Sequence, residues 1–284
     1  MKSCELLVSD TSEYFVYAPS RTARDLFFYP LQCGFFCYEA GYHLERESYD
    51  SFLLLYLQKG QLQLCIDGQT QTVDTDHFAL IDCYHPHAYT TETGCECLWC
   101  HFDGPLARAW YENIIGHTGN VITLADTYPA RKKMAAVYDV FASGSPVREP
   151  LMSKYLSDIL TDFLLNTADV KKIHPYTSMV EEIITYIHEH FKDDITVGQM
   201  AALADLSPYH FLRIFKQETG FTPHEYLIHV RMSTAKYLLK NTSLSVKAIC
   251  FQSGFSGESV FCTAFKRMEN VTPEQYRNCD QTTV

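Results

Sequence analysis

The chain has 284 residues, 46% of them hydrophobic, which is the usual size of two packed domains. Its formal charge of −11 argues, at first sight, against a nucleic-acid binder. The excess negative charge lies mostly in residues 1–175, which contain 13 Lys and Arg and 22 Asp and Glu. Residues 176–284 contain 10 Lys and Arg and 12 Asp and Glu.

Residues 1–104 are predicted to form a β-domain, because short apolar runs at 26–29, 52–57 and 62–66 alternate with turn residues. Gly60 is expected to end one run, and Asp67-Gly68 to close another as a hairpin turn. Many short strands with glycine turns are typical of a sandwich or a small barrel. Residues 73–89, ending Tyr-His-Pro-His-Ala-Tyr, resemble the second strand motif of cupins. The expected fold is therefore a cupin-like barrel, a double-stranded β-helix.

The β-domain is not expected to hold a metal or another cofactor. A metal-binding cupin carries His-x-His and a Glu before a glycine that matches Gly60. By that match the ligand positions are held by Glu47, Tyr49 and Leu53. Leu53 cannot ligate a metal, and the trio of His85, His87 and Glu92 lies in the other motif. Loop and strand-end histidines are the favoured interpretation.

The sequence Cys95-x-Cys97-x-x-Cys100-His101 resembles a soft-metal cluster, but its spacing is not the paired C-x-x-C of zinc sites. On a strand, Cys95, Cys97, Trp99 and His101 share one face while Cys100 points to the other. Buried reduced cysteines that act as small hydrophobic residues are favoured. A redox or metal sensor is the alternative.

Residues 105–166 are predicted to be helical. One apolar stripe consists of Met134, Val137, Tyr138 and Phe141, and the other of Leu151, Tyr155, Leu156, Ile159, Leu160 and Phe163. Such stripes usually belong to a core. This pair is long enough to cover a second subunit as well, so this segment is expected to support dimerisation. Residues 167–178 are the predicted linker, and residues 179–284 the C-terminal domain.

Residues 196–277 contain an internal repeat, which indicates that one helical unit occurs twice in the chain. The pattern Phe215-Lys216, Gly220, Thr222-Pro223, Tyr226 returns 50 residues later as Phe265-Lys266, Asn270, Thr272-Pro273, Tyr276. It extends back to Ala201 and Asp205, which match Cys250 and Gly254. Each unit is predicted to be a helix-turn-helix, and the helix at residues 226–240 to hold the two units apart.

In the first unit, Thr196 and Gln199 form a capping-box pattern, Asp205 suits a left-handed turn and Ser207 suits an N-cap. Arg213 is placed to contact guanine. The residues expected to contact DNA are Ser207, Tyr209, His210, Leu212, Arg213 and Lys216.

In the second unit, Ser245 is the expected N-cap and Gly254 the turn. The predicted inward residues are Val260, Phe261, Ala264 and Phe265, and the predicted DNA contacts are Glu258, Ser259, Thr263 and Lys266. Short hydroxyls discriminate bases less than Arg, so the first unit is expected to carry most base specificity.

These residues together resemble a known family. The run at residues 206–216 (Leu-Ser-Pro-Tyr-His-Phe-Leu-Arg-Ile-Phe-Lys), then Gly-Phe-Thr-Pro at 220–223 and Thr-Pro-Glu-Gln-Tyr-Arg at 272–277, are similar to the AraC/XylS transcriptional regulators. Cys250 stands in place of the usual Ala, Asn270 in place of Gly, and Thr263 where many members carry Arg. The first two changes leave the fold expected, whereas Thr263 weakens base contact by the second unit.

The resemblance implies a bacterial, cytoplasmic, non-enzymatic regulator, more often an activator, whose barrel senses a small molecule such as a carbohydrate. The N-terminus has no apolar run of signal-peptide length. Expected partners are promoter or operator DNA, the effector, a second copy in a homodimer and RNA polymerase, but no membrane. Polar candidates for the effector site are His43, Glu45, Arg46, His87, Tyr89 and His101.

Two alternatives from other classes remain open. One is a cupin enzyme with an appended helical domain, which requires a metal trio or an acid/base pair. The other is a protein-interaction module whose helix-turn-helix units no longer bind DNA, an interpretation favoured by the near-neutral charge of residues 176–284.

Overall fold

The structure, a computed structural model, describes residues 1–2, 5–165 and 176–278. The chain divides into two compact units, Met1–Ile173 and His174–Val284. Most of the predicted linker, residues 167–175, lies outside the described residues.

The first unit is a β-structure followed by helices. Its elements are β1 (Glu13–Val16), α1 (Arg21–Leu26), β2 (Tyr29–Tyr38), β3 (Tyr42–Arg46), β4 (Phe52–Ile66), β5 (Gln69–Asp74), β6 (Phe78–Asp82), β7 (His87–Thr91), β8 (Cys95–Asp103), α2 (Ala107–Thr118), β9 (Val121–Ile122), α3 (Tyr128–Ala142) and α4 (Glu149–Leu165). The strands run in the order β1-β2-β8-β4-β6-β9 on one side and β3-β7-β4-β5 on the other, so β4 belongs to both. This is the predicted cupin-like arrangement.

The expected turn at Gly60 is instead a kink inside one long strand. The first half of β4 pairs with β6 and β8, and its second half pairs with β5 and β7. Gly60 has φ +87°, and a Cβ there would lie 2.5 Å from the carbonyl oxygen of Gly94. A glycine inside a strand permits such a bend and close approach, which sequence runs alone do not distinguish from a turn. The hairpin at Asp67-Gly68 is confirmed, with φ 51° and 73°.

Two other local predictions were wrong. The run at residues 26–29 is not a strand throughout, because residues 21–26 form α1 and β2 begins only at Tyr29. The Ser20 side chain caps α1 by accepting from the Ala23 N–H at 3.1 Å, so this start depends on a cap rather than on apolar periodicity. Within the predicted helical segment, β9 pairs with β6 through Phe78↔Ile122.

Alternation along β8 separates two hydrophobic cores. Cys97 and Trp99 belong to the core enclosed by the strands, whereas Cys100 and Phe102 belong to the core between the sheet and helices α2–α4. The opposite placement of Cys97 and Cys100 confirms the predicted parity. The apolar stripes of α3 and α4 pack into the second of these cores, so their buried members are covered by the barrel itself.

The second unit is all-α. Its helices are α5 (Thr177–His190), α6 (Val197–Leu203), α7 (Pro208–Thr219), α8 (Pro223–Asn241), α9 (Val246–Gln252), α10 (Glu258–Glu269) and α11 (Pro273–Asn278). One core contains Phe211 and Phe215 of α7, and the other contains Phe261 and Phe265 of α10. Helix α8 contributes to both cores, starting three residues earlier than predicted. The two repeats are therefore two small helical bundles that share one helix.

Candidate DNA-binding surface and ligand cavity

The turn of the first helix-turn-helix forms as its sequence predicts. Thr196 and Gln199 make the capping box of α6, and Asp205 adopts φ 52°. The Leu206 N–H donates to the Ala201 carbonyl oxygen at 3.0 Å, closing the turn. The Ser207 side chain then caps α7 by accepting from the N–H of residue 210 at 3.4 Å. These local bonds fix where the predicted recognition helix begins.

Helix α7 turns its polar face outward because Phe211 and Phe215 anchor the opposite face in the core. Tyr209 is 81% exposed, and Arg213 and Lys216 are also exposed. The remaining predicted contacts are placed differently. Leu212 and His210 are half-buried, His210 lies edge-on to the Tyr176 ring at 5.7 Å, and the exposed Ser207 uses its hydroxyl as the cap.

The second helix-turn-helix repeats the same turn with one additional residue. Gly254 takes φ 84° where Asp205 stood, and the Phe255 N–H donates to the Cys250 carbonyl oxygen at 3.0 Å. Three positions separate Gly254 from the N-cap Gly257, against two in the first unit. This extra residue is why the repeat offset changes from 49 before the turn to 50 after it.

Helix α10 exposes all four of its predicted DNA contacts: Glu258, Ser259, Thr263 and Lys266. Val260, predicted to face inward, is 59% exposed instead. It lies 100° around the helix from Phe261, which is too far to share the core face. Arg267 is a further exposed residue that the prediction missed. Its spacing of i, i+4, i+8 with Ser259 and Thr263 would have placed it there.

Two side chains of α8 fix the helices around it. The Arg231 Nε donates to the Phe191 carbonyl oxygen at 2.7 Å, and its Nη2 to that of Asp193 at 2.8 Å. Lys236 pairs with Glu269 of α10 at 3.0 Å. These cations support the fold, so the exposed positive charge on the two recognition helices comes from Arg213, Lys216, Lys266 and Arg267.

The barrel of the first unit contains a cavity of about 360 Å³, within the range of small-ligand pockets. Of the six predicted polar candidates, Arg46, Tyr89 and His101 line it. His87 is buried at 4% exposure but is not part of the lining. His43 and Glu45 are exposed outside the cavity, because alternate residues of β3 point to opposite faces.

Apart from Tyr89, the aromatic residues that line the cavity were not named among the candidates. The additional lining residues are Glu5, Tyr14, Gln32, Phe36, Tyr38, Tyr49, Leu53, Leu55 and Trp99. Trp99 packs over Gly34, where a Cβ would lie 2.7 Å from its ring, so the glycine lets the indole lie against the strand. The sequence places Trp99 on the same face of β8 as His101, and both residues line the cavity.

His101 is neutral at physiological pH. Its Nδ1 is hydrogen-bonded to the Ser51 hydroxyl at 2.8 Å. Burial, followed by electrostatic interaction with Arg46 and His87, lowers the pKa of His101 to about 3. The Arg46 guanidinium lies 5.1 Å from the centre of the Tyr49 ring, whose hydroxyl accepts from the Gln32 side chain.

The cysteines of β8 are buried thiols. Burial raises the pKa of Cys95 to about 11 and holds the pKa of Cys97 and Cys100 well above the usual value. Such thiols are poor nucleophiles and poor metal ligands at neutral pH. Within the described ranges, no group of three or more His, Cys, Asp or Glu is placed to hold a metal ion. Nor does any helix of those ranges reach the length and apolarity of a membrane span.

Comparison with known proteins assigns both units. Residues 200–278 match a family described as a helix-turn-helix domain, and residues 31–156 match the AraC-like ligand binding domain. The chain belongs to the AraC family. The AraC-like match runs from β2 into α4, so helices α2 and α3 belong to the ligand-binding domain together with the barrel.

Three relatives show the extent of the AraC-family similarity. The chain is 40% identical over 86 residues to an uncharacterized HTH-type transcriptional regulator of Haemophilus influenzae, covering 30% of this chain and 29% of that protein. It is 33% identical over 100 residues to the HTH-type transcriptional activator RhaS of Escherichia coli, covering 35% and 36%. It is 25% identical over 240 residues to the uncharacterized HTH-type transcriptional regulator YobQ of Bacillus subtilis, covering 84% and 89%. The chain thus spans about a third of the length of the first two.

Proposed function

We propose that this protein is a sequence-specific DNA-binding regulator of transcription that responds to a small molecule held in its barrel. The observation that carries the proposal is the outward face of α7, where exposed Tyr209, Arg213 and Lys216 stand opposite a fully packed core face. Arg donates to guanine edges in the major groove, and Lys neutralises phosphates.

Both recognition helices take part in this proposal. Helix α8 connects their two cores, so one chain presents α7 and α10 together. If they are separated by about one duplex turn, roughly 34–36 Å, a single chain enters two successive major grooves. Helix α7 reads most of the sequence, and α10 anchors the backbone through Lys266 and Arg267.

The effector of the proposed regulator is a small carbohydrate-like molecule in the 360 Å³ cavity. Aromatic rings such as Trp99 and Tyr49 offer faces on which a sugar ring packs. The family resemblance further supports a cytoplasmic activator that forms a homodimer and contacts RNA polymerase. Sedimentation of a truncated chain ending at residue 169 tests whether the first unit dimerises; a monomer at tens of micromolar contradicts it.

The decisive experiment measures binding of the full chain to DNA from upstream of its own gene, against a scrambled duplex, over a range of salt concentrations. Preference for the native sequence that persists as salt rises supports the regulator, since non-specific phosphate contacts weaken first. Equal binding to both duplexes at every salt concentration supports an interaction module instead. Stoichiometric iron, manganese or zinc in the purified protein, tied to turnover, supports an enzyme.

A further inference from the structure

The cavity of the barrel holds one permanent positive charge. Among the described residues that line it, Arg46 is the only Lys or Arg, and His101 is neutral. No ion pair in the described part of the chain includes Arg46, and its guanidinium lies 5.1 Å from the centre of the Tyr49 ring. A guanidinium offers two parallel N–H donors that match one carboxylate.

One carboxylate also touches this cavity. Glu5 is exposed at the rim and accepts from the Tyr42 hydroxyl at 2.9 Å. The single guanidinium of Arg46 can balance the charge of one carboxylate, whereas a dianion such as a phosphate ester would bring a second charge into the cavity for which the described lining offers no further cation.

The field of Arg46 reaches across the cavity. His101 lies on β8, on a different strand from Arg46 at the end of β3, yet the charge of Arg46 is one reason why the pKa of His101 is lowered. The cavity therefore disfavours a second positive charge and favours a negative group brought by a ligand.

The rest of the lining favours a hydroxyl-bearing body. Polar groups come from Gln32 and Tyr14, and the rings of Phe36 and Trp99 supply apolar faces. Trp99 and Phe36 meet edge-on with centroids 5.1 Å apart, which makes a rigid corner. Alternating C–H faces and hydroxyl edges of a sugar complement such a mixed wall.

We propose that the effector of this protein is a monosaccharide-sized sugar acid, whose carboxylate binds Arg46 and whose hydroxyl-bearing body lies against Trp99. This rests on the proposed function, since it names the ligand class of the same cavity.

The test uses the full chain and calorimetric titration with matched ligands: D-glucuronate against D-glucose, D-galacturonate against D-galactose, and D-glucose 6-phosphate for a dianion. At least one acid is expected to bind about tenfold or more tightly than its neutral partner, the loss expected when a charged hydrogen bond is removed. Arg46→Gln should abolish that difference, and Arg46→Lys should restore part of it.

Glu5→Gln is the matched control, because it removes the other charge of the cavity and should leave acid binding unchanged or tighter. Equal affinity for acid and neutral sugar, tighter binding of the phosphate ester, an undiminished preference in Arg46→Gln, or no binding of either acid overturns the proposal. DNA binding by the same preparation separates these outcomes from failure of the regulator function.

Discussion

At the scale of single residues, the two recognition helices expose different chemistry. Helix α7 presents Arg213 and Tyr209, whereas α10 presents Thr263, Ser259 and the exposed Val260. An Arg can make a two-pronged contact with guanine, while short hydroxyls and a methyl-bearing side chain make weaker contacts, the latter with thymine methyl groups. Base discrimination should therefore be concentrated in the half-site of α7.

Replacing Arg213 by Ala should weaken binding to the cognate site by about 1–3 kcal/mol and relax preference at one or two base positions. Thr263→Ala should weaken it much less, because a single hydroxyl is lost. Both variants are measured by fluorescence anisotropy on the cognate duplex and on a set of base-substituted duplexes. Greater damage from Thr263→Ala, or uniform weakening of all sequences by Arg213→Ala, contradicts this division of roles.

The neutral His101 should make the first unit sensitive to acid. The folded state keeps the imidazole unprotonated down to a pKa of about 3, whereas the unfolded chain protonates it near 6.5. Between pH 6.5 and pH 3, unfolding is therefore accompanied by the uptake of a proton. As the pH is lowered through this range, the free energy of unfolding decreases by up to about 1.4 kcal/mol per pH unit. Above pH 7 this residue contributes no pH dependence.

Urea unfolding followed by tryptophan fluorescence measures this effect, because both tryptophans, Trp99 and Trp110, lie in the first unit. Between pH 7 and 4, the wild type should lose stability more steeply than His101→Gln, which lacks the titrating group. Parallel pH profiles for the two proteins would show that His101 is not held neutral in the fold.

At the scale of elements, the repeat contains two versions of one turn. Asp205 and Gly254 both have positive φ, and Gly254 is in addition closely approached by another segment. A Cβ on Gly254 would lie 2.5 Å from the Phe191 carbonyl oxygen and 3.0 Å from the Arg231 Nε that this oxygen accepts from. The second turn thus combines a left-handed backbone with a close approach that excludes a Cβ, whereas the first turn has only the left-handed backbone, which Asp tolerates.

Gly254→Ala should therefore destabilise the second unit by more than about 1–2 kcal/mol, the effect of a left-handed backbone alone. Asp205→Gly, the matched change in the first turn, should stay within about 1 kcal/mol of the wild type. Helical circular dichroism during urea unfolding measures both, and the tryptophan transition of the first unit should not shift. Equal stability of Gly254→Ala and wild type would rule out the close contact.

Caps and turns were predictable because they depend on neighbours in sequence. Ser207, Asp205 and the capping box at Thr196 lie where their residue types indicate. The kink at Gly60 was not predictable, since it depends on which strands pair with each half of β4. The lining of the cavity depends on strand pairing in the same way, which is why only half of its candidate residues reach it.

At the scale of the whole molecule, the acidic charge limits how the protein approaches DNA. A net charge of −11 gives little long-range attraction, so binding must rest on a few local cations. The recognition helices expose four: Arg213, Lys216, Lys266 and Arg267. Phosphate neutralisation by so few groups predicts a shallow salt dependence for each bound chain.

The plot of log K against log salt concentration should have a slope no steeper than about −4 per chain, at about 0.9 for each neutralised phosphate. The double variant Lys216→Gln, Lys266→Gln should reduce the slope by about 2 while keeping the order of preference among base-substituted sites, because lysines at phosphates carry no sequence information. Lys132→Gln, an exposed change in the first unit, is the control and should leave the slope unchanged. An unchanged slope in the double variant would show that the phosphate contacts are made by other helices. A slope near −8 for the wild type, with one chain bound, would require contacts from cations beyond these four.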